Sequence, residues 1–255
     1  MHGTIEMSDS PGKQPQQIPA GVKIAIAVLF IGIVIACLLP ATGSRTAPKR
    51  TACKNNLKQL GLALHNYHDA YDMFPPAYVA DARGRPEHSW RVFALPYIDQ
   101  AVLYNRYRFD EPWNGPHNSE LAENTLMVYQ CPSDAEQREE PVAWTSYVAV
   151  VGPHTVWPGA EATKIRDITD GTTNTLLVAE SRNTGIHWME PRDLHIGQMA
   201  MTLNPVGGQG ISSQHWGGAH ALLGDGSVHF ISEGVDPALL RRLMERDDGE
   251  DVGAF

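Results

Sequence analysis

Residues 24–39 carry no charged or strongly polar side chain, and the twenty residues at the start of the chain show no apolar period. The first stretch is rich in Pro, Gly, Ser and Gln and reads as a disordered tail, 1–20. The apolar run, 21–40, reads as a transmembrane helix. About 18 helical residues span roughly 27 Å, enough for a hydrocarbon core, and no polar face is present as a buried helix would need. Residues 41–50, with Pro48, form a polar linker. Then Cys53, Leu57, Leu60, Leu64, Tyr67 (or His68) and Tyr71 recur at steps of three and four, the spacing of one helical face. Thr51 is placed to cap that helix, and Pro75-Pro76 to end it.

Beyond Pro76 short apolar runs alternate with turn residues. Strands are expected at 90–95, 128–131, 147–151 and 175–179, and at 221–223 paired with 228–231 across the hairpin turn Gly224-Asp225-Gly226. Short helices are expected at 103–107, 120–127 and 237–245. The fold class is therefore α+β: an N-terminal transmembrane helix, then an amphipathic helix packed on a mainly antiparallel β head. Residues 51–255 form one exported globular domain ending in an acidic tail, with no second domain boundary.

The formal net charge of -9, without a basic patch in the soluble part, argues against nucleic acid as a partner. The flanking cations Arg45, Lys49, Arg50, Lys54 and Lys58 outnumber Lys13 and Lys23, which by count puts the C-terminal side in the cytoplasm. Long domains translocate regardless of such charges. The reading adopted is a single pass in the cytoplasmic (inner) membrane with a periplasmic or extracellular C-terminal domain. Cleavage after Gly43 and lipidation of Cys37 are the competing fates of the segment. Given export, Cys53 and Cys131 make one disulfide; two buried free thiols are the alternative.

Cys53 through Asp69 (CKNNLKQLGLALHNYHD), then Phe74-Pro75-Pro76, resemble the opening of a bacterial family of prepilin-like proteins with a C-terminal domain of unknown function. Cys131-Pro132-Ser133-Asp134, Ser146 to Gly152, Ile168 to Thr175, and Glu180 with Trp188-Met189-Glu190-Pro191 follow in order. His215, nine residues, then Asp225-Gly226 match the family's signature. The resemblance covers roughly 51 to 235. It implies a pilin-like or pseudopilin-like envelope protein, with partners in the membrane, in further copies of itself or in related subunits. The chain lacks the leader and the helix-head Glu of a prepilin, so a plain anchor stands in their place.

No catalytic residues are expected, and no cofactor. Neither a Gly-x-Ser-x-Gly elbow, a phosphate loop nor a dinucleotide fingerprint is present. His215, His220, Asp225 and His229 offer metal-ligand chemistry, with 220 and 229 placed to face each other across the hairpin; turn geometry and hydrogen bonding explain the same residues. Asp167, Asp170 and Asn174 form an oxygen-rich run that could hold calcium, but without EF-hand spacing; Asx-turn roles explain it as well. Six tryptophans leave a tethered module for a glycan or small solute as the alternative to a structural or assembly subunit.

Overall fold

The computed structural model describes residues 46–136, 143–207, 209–253 and 255, with 19, 21, 22, 24 and 26–31. The chain divides into two units, Met1–Ser44 and Arg45–Phe255. In the first, the described part of the apolar run is helical and ends at Ile31, with Val22 N–H donating to the Pro19 carbonyl at 2.9 Å. Residues 32–45 lie outside the described residues, as does most of the expected tail.

The expected transmembrane helix is corrected here. Among the described residues no helix is long and apolar enough to cross a membrane. A crossing needs about 20 apolar residues. The described stretch ends well short of that, and the next helix carries Lys49, Arg50, Lys54, Lys58 and Asp69. What stands is an α+β fold.

In the second unit, helix α1 runs Thr46–Tyr71 and so begins five residues before the expected cap at Thr51. Pro48 does not interrupt it, because the first turn of a helix has no intrahelical use for that N–H. The face predicted from the spacing is the buried one: Cys53, Leu57, Leu60 and Leu64 are fully enclosed. Strands β1 (Tyr78–Ala80) and β2 (Pro86–Ser89) form a hairpin that the periodicity did not reveal.

Residues 90–95, expected as a strand, form helix α2 (Trp90–Ala94) followed by a 3-10 turn. The Ser89 hydroxyl accepts the Arg91 N–H, and such a cap is a stronger local instruction than a short apolar run. Residues 128–131 likewise hold a 3-10 turn, Met127–Tyr129, instead of a strand. Helices α3 (Ala101–Arg106), α4 (Asn118–Ala122) and α5 (Pro132–Ala135) are short.

The expected strand 147–151 is split. β3 (Tyr147–Val148) joins the main sheet, whereas β4 (Val150–Val151) pairs in parallel with β6 (Leu194–His195). β5 (Leu176–Glu180), β7 (Gly218–Leu223) and β8 (Val228–Ser232) complete an antiparallel sheet of order β3-β5-β7-β8. The predicted turn closes the β7–β8 hairpin, with Gly226 at φ 84°, a conformation that costs glycine nothing.

β5 and β7 are buried along their whole length. Leu177, Val178 and Leu222 pack with α1, Trp90 and Trp157 in one core. Leu176, Ala179, Ala219 and Ala221 pack in another with Leu240 and Leu243, which come from helix α6 (Pro237–Arg242) and its end. A two-sided sheet explains why these strands read as continuous apolar runs rather than alternating ones.

One ion pair is sealed in the first core. Arg91 is fully buried and pairs with Asp193, itself buried; Arg91 also donates to the Tyr147 carbonyl at 3.0 Å. Asp193 further accepts the Ala149 N–H at 2.8 Å and the Trp90 indole N–H at 3.2 Å. The pair ties α2 to β3 and to the loop before β6. Removing one partner of such a pair strands a buried charge. Arg91→Met is expected to lower unfolding free energy by about 3–5 kcal/mol, with Arg91→Met/Asp193→Asn recovering most of it in urea titrations. Equal losses in the single and double variants would show that the charge is not the issue.

At Gly218 an added Cβ would lie 2.0 Å from the Ile231 carbonyl oxygen, a backbone atom that cannot yield. Gly218→Ala is expected to cost about 3 kcal/mol by the same measurement.

Candidate functional site

Strand β5 ends in Glu180, a buried carboxylate below an otherwise apolar strand. One oxygen faces the His215 Nε2 at 3.3 Å. The other accepts the His220 backbone N–H at 2.7 Å and faces the His220 Nδ1 at 3.2 Å. The imidazoles meet edge to face with centroids 5.2 Å apart. Burial by itself raises the Glu180 carboxyl, but the hydrogen bonds and charge from His215 and His220 outweigh it and hold it below the ordinary glutamate value.

The Cys53–Cys131 disulfide adjoins this group, closing a sequence separation of 78 and joining α1 to the residue before α5. In the chain-entropy account it contributes on the order of 4 kcal/mol. Cys131 Sγ lies 3.7 Å from the His215 Nε2. Beside it a narrow cleft is lined by Cys131, Asp134, Ser146, Glu180, Ser181 and Ser212, and the Ser146 hydroxyl donates to Asp134 at 2.7 Å.

His215 and His220 are therefore together, but Asp225 and His229 are elsewhere. The register pairs His220 with Phe230 and Ala221 with His229. A one-residue offset puts His220 and His229 on opposite faces of the hairpin. His229 is exposed beside Phe255, and Asp225 is exposed in the turn, its carboxylate accepting the Ser227 N–H at 2.8 Å. The oxygen-rich run is occupied by the backbone. Asp167 accepts the Lys164 N–H at 2.9 Å, Asp170 accepts the N–H groups of Asp248 and Gly249 at 2.7 and 2.9 Å, and Asn174 donates to the Asp170 carbonyl at 3.0 Å. Asp170 thus clasps the C-terminal loop.

A family model matches residues 44–195 and 181–238, well over half of the chain, and its description reads "Protein of unknown function (DUF1559)". The chain belongs to that family. The resemblance drawn from the ordered motifs holds at the level of a domain of unknown function; the matched description says nothing of pilins. No curated protein and no solved structure matches the chain.

In this family member the signature residues have readable duties. His215 reaches the buried Glu180. Gly226 lies against α1, where an added Cβ would come 3.5 Å from the His65 ring. Between them Trp216 is 94% exposed. It stands at a shallow depression lined by Arg182, Asn204, Gln214 and Glu233. Its neighbours are fixed: the His215 N–H donates to the Ser213 hydroxyl at 2.9 Å, the Ser213 N–H to Asn204 at 2.9 Å, and Gly217 takes φ 85°.

The roles of Arg91 and Asp193, and the two histidine partners of Glu180, are not legible in the sequence. The one signal in the sequence was a lone carboxylate ending the run Leu176-Leu177-Val178-Ala179. Three of the tryptophans serve the core. Trp90, Trp157 and Trp188 are buried, and their indole N–H groups reach Asp193, the Leu177 carbonyl and the Asn124 carbonyl.

Glu180→Ala leaves two buried imidazoles unpartnered and is expected to lower stability by about 3 kcal/mol. His229→Ala is expected to stay within about 0.5 kcal/mol. Urea midpoints that moved equally would refute the distinction.

Proposed function

We propose that the protein is an exported, pilin-like interaction subunit that assembles with copies of itself or with related subunits, acting by binding rather than turnover. Trp216 carries this reading. A large aromatic side chain almost wholly in water, on a loop pinned from below, fits an interface anchor better than a core residue that failed to bury. The layout of one long helix across an antiparallel sheet agrees with a pilin-like head, and the motif resemblance points the same way. Export rests on the buried Cys53–Cys131 bond, since disulfides persist in oxidising compartments.

The polar depression at Trp216 favours a second reading, a site for a glycan or small solute stacked on the indole. The burial of Trp90, Trp157 and Trp188 removes three of the six tryptophans from that role.

A photo-crosslinking amino acid in place of Trp216, used in intact cells, is expected to give covalent dimers or higher adducts with related subunits. Trp216→Ala is expected to lose assembly while keeping stability within about 0.5 kcal/mol. Monomer alone would end the assembly reading. Fluorescence quenching by oligosaccharides, lost in Trp216→Ala, would move the function to the second.

A further inference from the structure

Four potential metal donors converge where the helix meets the sheet. Cys53, Cys131, Glu180 and His215 each offer one ligand atom, and these atoms lie within 4.8 Å of one another, all in buried residues. From this we propose that the disulfide joint is also a latent metal site. On reduction of Cys53–Cys131, the two thiolates, the His215 Nε2 and a Glu180 oxygen take one divalent cation of the zinc class. A dithiol supplies two electrons and two protons and becomes a disulfide itself, or a phosphine supplies two electrons and becomes its oxide while water gives the oxygen and the two protons; either breaks the S–S bond to give two thiols. The cation then displaces both thiol protons to solvent as two metal–sulfur bonds form. With the bond intact the sulfurs are not thiolates and the site is closed.

Two of the distances already suit tetrahedral coordination. Two N or O ligands at about 2.0–2.1 Å from zinc stand about 3.3 Å apart, and an S and an N ligand about 3.6 Å apart. The structure has Glu180 and the His215 Nε2 at 3.3 Å, and Cys131 Sγ and the same nitrogen at 3.7 Å. The two sulfurs must separate to about 3.8 Å, and any donor pair as wide as the 4.8 Å that bounds the group must close, both by side-chain rotation. The outer shell is in place: the second Glu180 oxygen accepts the His220 N–H at 2.7 Å, which orients the carboxylate. A pair of thiolates with one imidazole and one carboxylate is a donor set that favours zinc over calcium or magnesium.

The full chain, reduced with a phosphine under nitrogen, is titrated with cobalt(II) while its absorption and near-ultraviolet circular dichroism are recorded. The expected result is one cobalt ion per chain with tetrahedral visible bands and a thiolate charge-transfer band, displaced by zinc and absent from the oxidised protein. His215→Ala is expected to weaken binding at least about tenfold and the double variant Cys53→Ser/Cys131→Ser to remove the charge-transfer band, with His229→Ala unchanged. If reduction loosens the fold, cobalt should restore the dichroism in wild type and not in His215→Ala. A reduced protein with no thiolate–cobalt band, binding that oxidation or His215→Ala leaves unaltered, or a loosened fold that cobalt does not restore would overturn the proposal.

Discussion

Helix α1 comes down onto strand β7 at Gly61, where even a methyl group would meet the Leu222 side chain at 2.7 Å and the turn residue Gly226 at 3.7 Å. That close approach sets the distance between helix and sheet, and the rest of the domain is arranged around it. Leu57, Leu60 and Leu64 reach the core only because the backbone lies so near. The disulfide from Cys53 to Cys131 fixes the helix further toward its N-terminus, where the Tyr147 hydroxyl also donates to the Cys53 carbonyl at 3.1 Å. A rod held at two points along its length cannot slide or roll, so its outward face is rigid.

The polar groups sealed inside follow from the same closure. With β5 and β7 covered on both faces, charges sealed in the cores around them can persist only with complete partners. Arg91–Asp193 and Glu180 with its two histidines are such arrangements, and each joins segments distant in sequence. The second also links core to surface. His215 is bonded inward to Glu180, so the next residue, Trp216, is directed outward from a fixed base. The spacing from His215 to Asp225-Gly226 thereby spans both duties: the histidine secures the loop, and the glycine fits the hairpin turn against α1.

Much of this was legible in residues. The apolar face of α1 could be read from its three- and four-residue steps because a helix buries one stripe. The β7–β8 hairpin could be read from Gly224-Asp225-Gly226 because few sequences tolerate that turn. Cysteine count and an exported reading narrowed the bond to Cys53–Cys131. Short segments were the ones misread. Residues 90–95 look like a strand in isolation, and only the Ser89 cap and the partners of Arg91 make them a helix. The 21–40 run shows the opposite limit, since apolarity names a suitable solvent without fixing what the chain builds there.

The sequence by itself determined the helix face and the hairpin, because these are local rules acting within about twenty residues, and pointed to the cysteine pair and the family through the count and order of residues alone. Only the tertiary structure decided that His220 and His229 point to opposite faces and that Glu180 gathers His215 and His220. It also decided that Trp216 stands in water while Trp90, Trp157 and Trp188 are buried. Register and burial belong to the whole sheet, and a one-residue offset reverses them without changing a single letter of the pattern.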